Sequence, residues 1–317
     1  MRINYEKLLE GKKALITSGA HGMGYAISKM FVKHGASVAF CGRSPSGASV
    51  EDEFRPISPD SFFYQCDVTD GGQVDAFCAE ALKRFGYVDT IVNTVGINIR
   101  EPVDSISYDA IETVFATNFK PVVRINNNLL PTLIRLERPG SIVHITTVHA
   151  QATVRMMGSY VASKGAITAF SRAMAIDLAK YNIRSNVVAP GGIFTMPHYN
   201  QIVAWMRENP GKSYKEEVVG KMKIDPYRSD ASINFGGRAE DVAHACLYFA
   251  SDMSAYVTGA TLMQDGGASY QAHRAKNIPV PDYYEDMVRD YLKAFPYPEP
   301  GDELKQNTSG IVNRVTI

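Results

Sequence analysis

From residue 12 onward, short apolar runs rich in β-branched and aromatic residues alternate with longer segments whose apolar residues recur at helical spacing. A chain built this way must cross back over its own sheet after each strand, so the strands run parallel and both faces are covered by helices. Strands are expected at Ala14–Thr17, Ser37–Cys41, Phe62–Cys66, Thr90–Asn93, Ser141–Thr146, Ile183–Ala189 and Thr261–Gln264. Between the first two, Met23, Ala26, Ile27, Met30 and Phe31 mark one helix face, and Gly35 supplies its stop. The pattern returns in Val74–Phe85 after Asp70, in Ile167–Leu178 and in Val242–Phe249. The fold class is α/β, a single doubly wound domain over residues 1–270, with the seven strands in one sheet.

Two segments interrupt the alternation. Phe194–Gly237 is too long for an ordinary loop and mixes aromatics with charges, which suits a substrate lid. Beyond residue 270, Tyr284, Met287, Val288, Tyr291, Leu292 and Phe295 form an apolar stripe opened by the capping box Asp282 and Glu285. Residues 271–317 are therefore read as a helical extension, docked on a neighbouring subunit or folded back over a substrate mouth.

The 33 Lys and Arg balance the 33 Asp and Glu, and the basic excess of nucleic-acid-binding chains is missing. Cys41, Cys66, Cys78 and Cys246 form no Cys-x-x-Cys pair, the start resembles no signal peptide, and no apolar run is long enough to span a membrane. A reduced, cytoplasmic protein is expected. His21, His34, His144, His149, His198, His244 and His273 are scattered without a metal-ligand spacing.

Directly after the first strand, Thr17-Ser18-Gly19-Ala20-His21-Gly22-Met23-Gly24 runs into the first helix. Glycines let the backbone approach a pyrophosphate, and the free N–H groups at the helix start attract its charge. The second strand ends Cys41-Gly42-Arg43, with an arginine where NAD-binding folds carry a carboxylate for the ribose 2′-hydroxyl. NADP(H) is expected over NAD(H), with His21 as a second donor to the 2′-phosphate.

Tyr160 and Lys164 are spaced i, i+4 at the start of a helix expected to continue to Ala179, so phenol and ammonium share a face. A neighbouring cation favours the phenolate and lowers a pKa that is otherwise near 10. Asn118 lies in a helical stretch after Ser107 and three residues before Pro121, which cannot donate to the carbonyl of residue 117; a kink or a freed acceptor is expected there.

Together these motifs resemble the short-chain dehydrogenase/reductase family over about Gly11 to Gly267. The glycine turn matches TGxxxGxG with Ser18 in place of the first glycine. Asp67-Val68 matches the adenine-contacting pair, and Asn93-Thr94-Val95-Gly96 matches Asn-Asn-Ala-Gly. Asn186 to Thr195, containing Pro190, Gly191, Ile193 and Thr195, follows the segment that clasps nicotinamide, and Gly237-Arg238 with Asp265-Gly266-Gly267 completes the ending.

The resemblance implies a Rossmann-like fold and hydride transfer between NADP(H) and a carbon bearing oxygen. It makes Tyr160 the general acid/base, Lys164 the group that bonds the nicotinamide ribose and lowers the phenol's pKa, and Asn118 the holder of a proton-relay water. Thr147 stands where the family has Ser, and adjacent Thr146 competes for that role. A homodimer or homotetramer is implied as well. For the substrate, Met157, Phe194 and Met196 favour a bulky apolar ketone or alcohol such as a steroid, bile acid, polyketide or aromatic compound, with His149 close by and Arg155 able to meet a carboxylate. Sugar, polyol or 3-ketoacyl-thioester reduction is the alternative, and a non-catalytic NADP(H) sensor is the rival outside enzymes.

Overall fold

The computed structural model describes residues 4–194 and 237–270, together with Trp205, Glu208, Asn209, Val315 and Thr316. Strands β1 (Lys13–Ile16), β2 (Ser37–Gly42), β3 (Phe62–Gln65), β4 (Thr90–Asn93), β6 (Gly140–Ile145), β7 (Ile183–Pro190) and β10 (Thr261–Gln264) form one parallel sheet in the order β10-β7-β6-β4-β1-β2-β3. All seven expected strands are present, with ends shifted by at most one residue.

Alternating side chains in each strand go to opposite faces, and each face has its own helices. Ile16, Val38, Phe40, Val143, Ile145 and Val188 pack with Ile27 and Phe31 of α1 (Gly22–Lys33) and with Val242, Cys246 and Phe249 of α7 (Ala239–Ala250). Leu15, Ala39, Ile91 and Ile142 pack on the other side with Val74 and Phe77 of α3 (Gly71–Phe85), Ile125, Leu129 and Leu133 of α5 (Lys120–Arg135) and Met174 of α6 (Gly158–Asp177). Each fully buried side chain of this size contributes about 1.5–3 kcal/mol, so the two-sided core fixes the sheet on which the site is mounted.

Helix ends follow local chemistry. Asp70 caps α3 by accepting from the N–H groups of Gly72 (2.8 Å) and Gln73 (3.1 Å), and Gly35 closes the turn after α1 with φ +92°. The stretch after Ser107 divides into α4 (Tyr108–Asn118) and α5, with Phe119 between them at φ −109°. This is the expected break before Pro121. Helix α6 stops at Asp177 rather than Ala179; a 3₁₀ turn, Ala179–Tyr181, follows, and Asn182 takes the left-handed conformation at φ +57°. One helix, α2 (Gly47–Phe54), has no counterpart in the sequence pattern, because Gly47 and Phe54 alone face inward.

The chain leaves β1 toward β2 and β3, then returns across the sheet to β4. Adjacent connections diverge between β1 and β4, which opens the crevice where doubly wound sheets bind ligands. The two strand ends are tied there. Thr17 donates its N–H to Val92 O (3.1 Å), and Thr94 N–H donates to Thr17 Oγ1 (2.9 Å).

Short pairs complete the description. β8 (Ile193–Phe194) lies parallel to β9 (Gly237–Arg238), and β11 (Val315–Thr316) lies antiparallel to β5 (Ile97–Asn98). Most of the 194–237 insert and the tail stripe from Tyr284 to Phe295 fall outside the described residues. Among the described residues no helix is long and apolar enough to cross a membrane.

Candidate active site

The glycine turn bends sharply, with Ser18 at φ +52° and Gly22 also at φ +52°. A Cβ on Gly24 would lie 2.1 Å from Ser18 O, and one on Gly19 would lie 2.6 Å from Phe40 Cβ, so only glycine lets turn, sheet and helix approach this closely. No side chain caps α1 and no acid lies in its first turn. The first intrahelical bond is Tyr25 N–H to His21 O at 3.0 Å, which leaves the N–H groups of Gly22, Met23 and Gly24 at the positive end of the helix. Met23 itself packs into the core.

Beside this turn, His21 Nε2 lies 3.5 Å from Ser46 Oγ, and Ser46 Oγ lies 2.8 Å from Ser44 Oγ. Arg43 extends into solvent there, its carbonyl accepting from Gln65 Nε2 at 2.9 Å. The nearest acid in sequence, Glu51, faces β3 and accepts from Phe63 N–H at 2.8 Å. Further along the crevice, Asp67 Oδ1 accepts from Thr69 N–H at 2.9 Å and adjoins partly exposed Val68. Asn93 ends β4, buried and hydrogen-bonded to His144 Nδ1 at 3.3 Å, with its Oδ1 unpartnered.

A dinucleotide fits these residues. The uncapped helix start suits a pyrophosphate, the glycines leave it room, and buried Asn93 Oδ1 and Thr146 Oγ1 stand without partners. Pro190 ends β7 opposite Gln264, Gly191 N–H donates to Gln264 O at 3.0 Å, and Ile193 continues into β8. Phe194 is described as β8 backbone, while Thr195 and Met196 lie outside the described residues.

Beyond β6, Thr147 and Tyr160 meet. Thr147 lies beside the phenol and counteracts part of the rise in its pKa, whereas the Thr146 hydroxyl has no partner. Tyr160 is only 1% exposed, and burial pushes its pKa up to about 12, with Thr147 acting in the opposite direction. Lys164, one turn on, is equally enclosed, and burial pushes it down to about 7. Its Nζ donates to Val95 O (3.0 Å) and Ile145 O (2.9 Å). A Cβ on Gly96 would come within 2.9 Å of that Nζ, so glycine is what lets the ammonium through. The phenol's shift follows from burial and Thr147, with Lys164 not among its causes. The ammonium's contacts are carbonyl oxygens, and burial governs both groups, favouring the neutral form of each.

Asn118 is pinned at the α4 break. Its Oδ1 accepts from Ile97 N–H (2.8 Å), and its Nδ2 donates to Ile97 O (3.0 Å) and Ser163 Oγ (2.9 Å). Ser163 Oγ in turn donates to Tyr160 O at 2.7 Å, which links Asn118 to the tyrosine's own turn. Sequence reasoning missed Ser163, although i, i+3 spacing from Tyr160 puts it on the same inward face. Asn118 also lines a small pocket with Thr17, Asn93, Val95 and Pro121, about the least space that admits one water. His149 follows Thr147, its Nδ1 3.1 Å from Ala152 O; Met157 is buried as the α6 N-cap, and neighbouring Met156 is exposed.

Comparison with known proteins bears on family and fold. Residues 19–269 match the family model described as enoyl-(acyl carrier protein) reductase. A 3-oxoacyl-[acyl-carrier-protein] reductase of Chlamydia pneumoniae is 28% identical over 83% of this chain and 98% of its own length. An L-fucose dehydrogenase of Rattus norvegicus is 30% identical over 81% of this chain and 89% of its own. A short-chain type dehydrogenase/reductase from Mycobacterium marinum shares the fold with a TM-score of 0.70 at 24% identity, over 86% of this chain and all of that one. A seven-stranded doubly wound sheet, a glycine turn at its switch point and this breadth of likeness make the chain a member of the short-chain dehydrogenase/reductase family, oxidoreductases that act on CH–OH groups with NAD(P)(H).

Proposed function

We propose that the protein interconverts a secondary alcohol and a ketone with NADP(H), using Tyr160 as the proton donor and acceptor. The observation that carries this reading is the enclosed Thr147–Tyr160 pair, one turn from Lys164 and beside the dinucleotide crevice. A phenol pushed up to about 12 stays neutral at physiological pH and can donate to a forming alkoxide. Thr147 offers a second hydroxyl to the same oxygen. Asn118 and Ser163 hold the start of α6, and with it the phenol, against the β5 backbone. When bound, the nicotinamide supplies or accepts the hydride.

Ser18, Gly19, Gly22, Met23 and Gly24 would hold the pyrophosphate, Asp67 and Val68 the adenine, and Asn93, Gly96, Lys164, Pro190, Gly191, Ile193 and Thr195 the nicotinamide half. Arg43, with His21, Ser44 and Ser46, supports NADP(H) over NAD(H): the corner offers a guanidinium and hydroxyls, and Glu51 is turned toward β3. kcat/KM with NADPH should exceed that with NADH by at least about tenfold, a discrimination of about 1.4 kcal/mol, and Arg43→Glu should erase the difference. A wild-type preference for NADH contradicts the assignment.

For the substrate, exposed Val103, Val154 and Met156 near the mouth support a bulky apolar ketone or alcohol of the steroid, bile acid, polyketide or aromatic kind. The L-fucose and 3-oxoacyl relatives favour the second reading, a sugar, polyol or 3-ketoacyl thioester. Four free cysteines support a cytoplasmic location, and exposed Tyr108 and Ile176 on helix surfaces support a homodimer or homotetramer. Residues 1–270 act as the catalytic domain in this reading, with 194–237 as lid and 271–317 as an extension.

A further inference from the structure

Two segments form the rim of the site, and each is anchored on a residue of the proposed machinery. One leaves Gly96, beside Lys164, and passes Ile97, which holds Asn118 through both backbone groups. The other leaves Thr147 and enters α6 at Gly158, two residues before Tyr160. They meet where Glu101 and Met157 form a parallel bridge, and Ser159 Oγ donates to Ile99 O at 3.4 Å. This pairing brings Arg100 level with Met156 and sets Arg155 one residue away.

Both arginines are exposed, and among the described residues neither makes a hydrogen bond or an ion pair. The adjoining acid is already engaged. Glu101 accepts from Ser107 N–H at 2.8 Å and from Ser107 Oγ at 3.1 Å, at the start of α4. Exposed Asp104 pairs with neither guanidinium. Met156 is held at φ +64°, a conformation disfavoured for a residue with a Cβ, between exposed Arg155 and buried Met157. On the same loop the His149 Nδ1–H donates to the Ala152 carbonyl at 3.1 Å, because that oxygen can only accept.

Two exposed cations on paired segments, neither with a counter-ion among the described residues, attract an oxyanion, and guanidinium forks match a carboxylate bidentately. We propose that Arg100 and Arg155 clamp the carboxylate of an organic acid whose alcohol or ketone carbon, several bonds away, reaches Tyr160. The inference rests on Tyr160 being the reacting group, and it narrows both substrate readings to their acidic members.

The test uses matched acid and neutral probes, gluconate against sorbitol and cholate against its methyl ester. Turnover with NADP+ is measured, along with binding to the enzyme–NADPH complex by calorimetry. In at least one pair the acid should be favoured by about tenfold or more, mainly through KM or Kd. Arg100→Gln and Arg155→Gln should each remove most of that preference, leaving NADPH affinity and the thermal midpoint unchanged.

Equal behaviour within both pairs, failure of both acids to bind, or a preference that survives the double substitution overturns the clamp. A Tyr160→Phe arm separates the two claims. Acid binding without turnover in that variant supports both, and turnover that persists with the acid preference intact refutes the catalytic reading alone.

Discussion

Tyr160 and Lys164 are pushed in opposite directions by the same cause. Burial takes water from the phenolate and from the ammonium, so each prefers to be neutral. Reduction needs the phenol protonated and is expected to hold its rate through neutral and mildly alkaline pH. Oxidation needs a proton removed, so its kcat should rise with pH; an oxidation rate that falls as pH increases from 6 to 9, roughly the range bracketing Lys164, contradicts the proton role.

His144, buried beside Asn93, has a pKa pushed down to about 3, first by desolvation and then by Lys164. The unfolded chain binds a proton there below its ordinary value of 6.5 and the folded chain does not, so stability should fall as pH drops from 6.5 toward 3. Urea unfolding of His144→Asn should lose about one proton's worth of that dependence; an unchanged pH slope excludes His144 as its source. The Tyr160, Lys164 and Asn118 spacing is visible in the sequence. The Asn93–His144 bond is not, because it depends on the register between β4 and β6.

Elements are legible where one physical demand dominates. Strands buried on both faces show as apolar runs, and α3 announces both its ends through Asp70 and Gly86. The short α2, which meets the sheet with little more than Phe54, leaves no periodic trace. Pro121 gives the most consequential local signal. Without an amide N–H it ends the α4 ladder at Asn118 and frees the side chain's neighbourhood for Ile97 and Ser163. Pro121→Ala is expected to let α4 and α5 merge and to shift Asn118. kcat should fall by about tenfold, roughly 1.4 kcal/mol of lost transition-state stabilisation, with little change in the thermal midpoint. Unaltered kcat contradicts a positioning role for the break.

At the scale of the whole molecule, the seven-stranded sheet gathers residues distant in sequence at one edge. Thr17, Asn93, Asn118, Thr147 and Tyr160 converge because β1, β4 and β6 point their C-terminal ends the same way. The tail reaches this neighbourhood too, since β11 pairs with β5, the strand whose Ile97 holds Asn118. Removing residues 275–317 should therefore raise KM or change the oligomer mass measured by light scattering; if neither moves, the extension has no part in site or assembly.

The central claim is that Tyr160 carries the proton, and Tyr160→Phe tests it most directly through two readings on one purified variant, the single-turnover rate of ketone reduction and the Kd for NADPH. The rate should fall by at least about a thousandfold, in the range lost when a positioned acid is removed, while Kd stays within about twofold of wild type, under 0.5 kcal/mol. A variant that binds NADPH normally and still reduces the ketone near the wild-type rate contradicts the account.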